Sequence, residues 1–264
     1  MKIEQILKKY SLFRRNMGIP IDREVLFTFW EKEVLEKMNL ESIEVGDIGN
    51  PCLTKKVQIA RDSIKYLLVF NWVQFIAISG SVASGFAKEG DDIDIFVVVK
   101  NDRIWIYRFI ILFRNMFHRK IRIGDGSVKD KLCVNFICEE RGLSLNPDIF
   151  NLNEILSLIP IYKEEYLKVL LNYNGWLFNR YLLSKKVLNE KALLHIQSSK
   201  EKGNKRNFLL SIFNIIFLVP QILYMLITGH NPDIKRIRGN YKKGRIEFFL
   251  KDFKMEKINS LKGR

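Results

Sequence analysis

The chain has 264 residues, 47% apolar and 28% charged, with six prolines and no visible repeat. That composition excludes a fibrous or wholly disordered polypeptide and allows one large domain, or two to three small ones, around a substantial core. Formal net charge is +15, and residues 197–264 hold 15 Lys/Arg against 5 Asp/Glu. Such an imbalance suits an anionic partner (nucleotide, nucleic acid or acidic lipid) or simply a solvated face.

Cys52, Cys133 and Cys138 show no metal or redox spacing, and His118, His195 and His230 are scattered. An odd cysteine count and a charged, amphipathic start fit a reducing, cytoplasmic setting.

In chain order, residues 1–70 read as a mainly helical segment. Ile3, Ile6, Leu7 and Tyr10 recur at helical spacing, GIPID breaks the chain, and Asp22 is placed to cap a helix through REVLFTFWEKEVLEKM. Gly46, Gly49 and Pro51 mark a loop, and KKVQIARDSIKYLLVFNW is helical again. This order suits a small winged-helix-like unit, or a helical prop for the next domain.

Residues 71–150 have a different texture. FIAIS is a short β-rich run ending at a Gly-Ser turn, and DIDIFVVVK alternates before becoming continuously apolar, as a central strand does. RIWIYRFIILFRNMF reads as an amphipathic helix or a strand running into one, and KLCVNFIC as a further strand. The mixture predicts an α+β (or α/β) sheet domain. Residues 151–264 turn helical through NEILSLIPIYKEEYLKVLLNYNGWLFNRYLL, followed by a polar linker, HIQSSKEKGNKRN, and a basic tail.

Between linker and tail, residues 208–228 run for 21 positions without a charge, long enough to span a bilayer. Ser211, Asn214, Gln221 and Thr228 form a narrow polar stripe on a helical wheel, and Pro220 would kink the helix. A buried, packed helix is therefore the expectation. Membrane contact stays open, because a basic flank beside an apolar helix suits an anionic lipid surface.

The chemistry concentrates in GSVASGFAKEGDDID. Asp92 and Asp94 are two apart on a strand, so their carboxylates share one face and repel unless a cation lies between them. Mg²⁺ (or Mn²⁺) binds through carboxylates plus substrate phosphates rather than in an all-protein cage. Upstream, Gly80 lets the backbone approach an anion and Ser81 offers a hydroxyl, a phosphate grip facing the metal pair. Together these describe a nucleotidyl-transfer site. Arg103 is placed to contact a nucleotide phosphate or to snorkel, and Trp105 to stack or pack. Arg114, Arg119, Lys120 and Arg122 form a basic cluster that suits either an acidic substrate or a solvated helix end.

Gly80-Ser81, ten intervening residues and Asp92-Ile93-Asp94 before an apolar strand resemble the signature of the polymerase-beta-like nucleotidyltransferase superfamily. The spacing is similar to that of the small MNT-type enzymes, and Ala83 and Gly85 fit their Gly-Ser-x-Ala-x-Gly turn. NDRIWIYR, KLCVNFICEE, NYNGW and FNIIFLVPQILYM are similar to stretches of a larger, poorly characterised group of nucleotidyltransferase-domain proteins. The resemblance implies that Gly80 and Ser81 hold the phosphates of a nucleoside triphosphate and that Asp92 and Asp94 bind catalytic metal. It implies a third carboxylate from a later strand, where this chain has Asn135 on KLCVNFIC, with Glu139 and Glu140 as nearby substitutes. The acceptor it leaves open is a protein, a small molecule or an RNA. Because Asn135 cannot act as a base, an inactive nucleotide-binding or partner-binding module is the alternative, followed by a nucleic-acid-binding protein.

Overall fold

The computed structural model describes residues 2–36, 43, 45–46, 51–122, 128–188, 208–227, 239 and 242–247. The expected linker, the tail beyond residue 247, His195 and His230 lie outside them, as does the side chain of Asn135.

The fold is α+β, built on a five-stranded mixed sheet in the order β6 (Ile159–Tyr162), β3 (Val73–Ile78), β4 (Ile93–Val99), β5 (Leu132–Glu139), β7 (Arg245–Glu247). β3 (Val73–Ile78), β4 (Ile93–Val99) and β5 (Leu132–Glu139) are the three apolar runs read as strands. β4 runs antiparallel to β3 and parallel to β5. Every residue of β3 is buried, as is every residue of β4 except the partly exposed Asp94, so the sheet is covered on both faces.

Two strands were not expected from the sequence. β6 (Ile159–Tyr162) pairs with β3 at one edge, within a stretch that reads as continuous helix. Pro160 explains it, since it cannot donate in a helix ladder and biases Ile159 towards extended backbone. β7 (Arg245–Glu247), from the basic C-terminal region, pairs antiparallel with β5 at the other edge.

One side of the sheet carries Phe75, Phe96, Val98 and Phe136 against α1 (Ile3–Arg15), α2 (Arg23–Phe29), α7 (Ile149–Ser157), α8 (Tyr166–Tyr173) and α9 (Trp176–Arg180). Asp22 caps α2, accepting from the Glu24 amide at 2.8 Å. The expected long second helix is instead α2 and a single further turn, α3 (Lys32–Leu35), separated by an extended Trp30. A two-residue parallel pair, β1 (Ile21–Asp22) with β2 (Val45–Gly46), completes the N-terminal segment. Tyr10, Phe13 and Trp30 are buried in the same cluster as the sheet residues, so this segment shares the core of the sheet.

The opposite face buries Ile76, Ile78, Ile95 and Val97 against α4 (Pro51–Ser63) and α6 (Ile104–His118). α10 (Phe208–Ile227) packs across α6 but is not the buried helix expected, because it docks through Asn214 and Gln221 and leaves Leu209, Phe213, Ile216 and Leu223 more than half exposed. Among the described residues no helix is long and apolar enough to cross a membrane.

Candidate active site

β3 delivers the chain to the Gly-Ser turn, which opens the one-turn helix α5 (Gly80–Ser84). The Ser79 amide donates to the Asp94 carbonyl at 2.9 Å, fastening the turn beside the acidic strand. Gly80 has φ +63°, and a Cβ built on it would run into the Asp94 carboxylate. Only glycine meets both demands, the left-handed backbone and the close approach. Gly85, at φ +89°, ends the helix in the left-handed conformation of a C-cap.

Asp92 stands just before β4 and Asp94 inside it, both partly buried. In the parallel ladder Asp94 lies opposite Cys133 of β5. Donor atoms of Asp92, Asp94 and Cys133 all fall within 4.8 Å of one another, the spacing of a metal-ligand group. Burial pushes the Cys133 thiol up to about 12, and the Asp94 and Asp92 carboxylates push the same way, so at neutral pH it is a protonated thiol. Arg122 supplies the positive charge the pair requires: its Nη1 donates to Asp92 Oδ2 at 2.7 Å.

The sequence singles out Asn135 and passes over Cys133. Beyond Asp94 the β4–β5 register shifts, with Phe96 opposite Phe136, so β5 spends one more residue than β4 in that interval. Asn135 belongs to this irregular stretch. A bulge of this kind leaves no mark in a run of apolar residues, and only its pairing with β4 brings Cys133 to the acids.

Two buried cations brace the loops. Lys56 of α4 is fully buried, and its Nζ donates to the carbonyls of Glu89 (3.2 Å) and Asp91 (2.6 Å) and to Asp130 Oδ1 (3.0 Å). Asp91 turns its carboxylate inward, accepting from the Lys88 amide at 2.9 Å and the Ser81 hydroxyl at 3.5 Å. It closes the turn and leaves Asp92 and Asp94 as the pair. On the other side, buried Arg14 of α1 donates to the Ser84 carbonyl at the end of α5 (3.2 Å), to Asn153 Oδ1 (3.1 Å) and to the Pro20 carbonyl (2.9 Å). Neither cation was singled out in the sequence. A lysine at helical spacing reads as solvated, and nothing local shows that three oxygens await it.

The structure does not bring Arg103, Glu139 or Glu140 to this cluster. They sit at the far end of β4 and β5, a strand length or about 20 Å away. Arg103 has its guanidinium over the Trp72 ring at 5.6 Å, and its backbone amide donates to Glu139 Oε1 at 3.2 Å. Glu139 is fully buried and paired with Arg141 at 2.6 Å, and burial raises the pKa of both Glu139 and Glu140. Trp105 is buried. Of the basic cluster, Arg114 donates to the Leu68 carbonyl at 2.7 Å, Arg119 and Lys120 are exposed, and Arg122 reaches the acids.

Residues 61–189 match the family model of the nucleotidyltransferase domain. The chain carries a nucleotidyltransferase domain of the polymerase-beta-like superfamily. Among curated proteins and among solved structures there is no significant match. The matched span contains the turn, the acid pair and β5, so the nucleotidyltransferase assignment and the geometry concern the same residues. The donor set fits a divalent cation: two carboxylates share a strand face, and a guanidinium now balances one of them at a distance a cation would take over.

Proposed function

We propose that this nucleotidyltransferase domain transfers a nucleoside monophosphate from a nucleoside triphosphate to an acceptor hydroxyl, with Mg²⁺ or Mn²⁺ held by Asp92 and Asp94. The acceptor oxygen forms a bond to the α-phosphorus, the bond to the bridging oxygen of the β-phosphate breaks, and pyrophosphate leaves. The acceptor proton passes to a carboxylate of the pair or to water. When bound, the metal neutralises phosphate charge and lowers the pKa of the acceptor hydroxyl. Gly80 and Ser81 grip the phosphates, Asp92 and Asp94 face them, and Asn135 or Cys133 borders the third side. The same proposal divides the sequence into a helical segment (1–70), a nucleotidyltransferase segment (71–150) and a mainly helical C-terminal region (151–264) whose β6 and β7 complete the sheet, and sets the protein in the cytoplasm.

The observation that supports this reading is the close approach of the Gly80 backbone to the Asp94 carboxylate, which leaves no room for a Cβ and sets the turn proposed to grip phosphate beside an acid proposed to hold the metal. The experiment is direct. Purified protein given labelled ATP and Mg²⁺ releases pyrophosphate, and Asp94→Asn abolishes the release; equal release by both proteins refutes the proposal.

One observation favours a second reading, nucleotide binding without turnover. No carboxylate but the Cys133 thiol stands opposite Asp94, and a neutral thiol is a poor base. Calorimetric nucleotide binding with no pyrophosphate release selects this reading.

A further inference from the structure

α10 is turned inside out relative to an ordinary surface helix. Its polar residues face the protein: buried Asn214 accepts through Oδ1 from the backbone amides of Trp105 (2.8 Å) and Ile106 (3.4 Å), and buried Gln221 donates through Nε2 to the Trp105 carbonyl (3.1 Å). Its apolar side faces out, with Phe213, Ile216 and Leu223 each more than half exposed. A soluble helix normally directs these two sides the other way. The neighbouring α6 does the same along its last two turns. Phe113, Met116 and Phe117 are 52%, 67% and 73% exposed and form a continuous stripe, and the Phe109 ring, 4.7 Å from that of Phe217, joins the two helices into one apolar face. A contiguous apolar face of two helices is the mark of an interaction surface, not of scattered surface hydrophobes.

Charge decides what the face meets. The α6 stripe runs directly into exposed His118, Arg119 and Lys120, and residues 103–122 contain six Lys/Arg and no acid. In sequence, α10 is preceded by Lys205 and Arg206 and followed by Lys235, Arg236 and Arg238. Self-association through this face would press together two chains that each carry +15. An apolar face with a basic border is instead complementary to a bilayer whose interior is apolar and whose surface is anionic. We propose that the α6–α10 face seats this protein on an anionic lipid surface, lying in the interface without crossing it. The proposal does not depend on the transfer reaction.

The test is sedimentation of the full chain with vesicles of phosphatidylcholine alone and with vesicles that also carry phosphatidylserine. The protein pellets with the second and not the first, and added salt weakens the binding. Phe113→Asp and Ile216→Asp each remove one aromatic or aliphatic anchor and reduce partitioning by about ten-fold or more. Both side chains are half exposed, so the variants keep the wild-type melting temperature and nucleotide binding; Phe117→Asp, the most exposed of the stripe, serves if either unfolds. The proposal is overturned if the protein stays in the supernatant with both vesicles. It is equally overturned if these substitutions leave partitioning unchanged, or if light scattering shows a wild-type dimer that Phe113→Asp splits, which would make the face an interface between copies.

Discussion

Gly80→Ala is the sharpest test of how the turn and the acid pair make one site. Two costs add at this position. The left-handed φ of +63° disfavours any residue with a Cβ by about 1–2 kcal/mol. The new methyl then meets the Asp94 carboxylate, so the turn or the acid must move by on the order of 1 Å, a displacement that costs about 10²-fold where reacting groups are positioned. The variant is therefore expected to melt roughly 2–6 °C below wild type and to lose about two orders of magnitude in pyrophosphate release and a measurable part of its Mn²⁺ affinity. Gly90→Ala is the control: nothing lies within 4 Å of its added Cβ, and it should behave as wild type in every assay. Thermal denaturation, a pyrophosphate assay and Mn²⁺ titration on the three proteins decide it. If Gly80→Ala melts and turns over like wild type, the turn is not locked against Asp94 and the proposed division of labour fails.

Two further substitutions probe the charges around the pair. Lys56→Met leaves two carbonyls and the Asp130 carboxylate without their shared cation and should destabilise the protein by about 3 kcal/mol in denaturant unfolding; wild-type stability would show that Lys56 does not hold the loop. Arg122→Ala removes the guanidinium 2.7 Å from Asp92, so a cation no longer has to displace it, and Mn²⁺ affinity should rise by about two- to five-fold, a modest change because this arginine is partly solvated. An unchanged or weaker affinity in the same titration would mean that Arg122 does not compete for the metal position.

Local chemistry is what the sequence shows well. The Gly80-Ser81 turn, the Asp92–Asp94 pair, the central strands and the α6 helix each follow from a residue pattern within about fifteen positions, and each is where the pattern puts it. What the pattern misses depends on pairing between distant segments. Cys133 reaches the acids only through its register with β4, and β7 reaches β5 from more than a hundred residues away. Arg103 illustrates the converse: proximity to the acidic strand in sequence becomes distance in space, because a strand carries its two ends to opposite rims of the sheet. The polar stripe on 208–228 was visible, but which way it faces was not. Asn214 points inward because the Trp105 and Ile106 amides, in the first turn of α6 where no intrahelical carbonyl reaches them, donate to it, and Gln221 on the same side of α10 donates to the Trp105 carbonyl.

The functional unit is consequently larger than the family span. Arg14 and Lys56 both precede residue 61, where the family match begins, yet one holds the end of α5 and the other holds the loop that presents Asp92. A helical turn of five residues has almost no stability of its own, since one turn fixes several dihedrals for a single hydrogen bond. It persists because Ser79 is tied to Asp94 from the front and Ser84 to Arg14 from behind. The N-terminal helices thus act on the site through position: by burying Tyr10, Phe13 and Trp30 in the sheet's own core they fix Arg14, and through Arg14 the turn. Separating the matched span from residues before it would leave the acid pair in sequence and remove two of the contacts that hold the turn and the loop beside it.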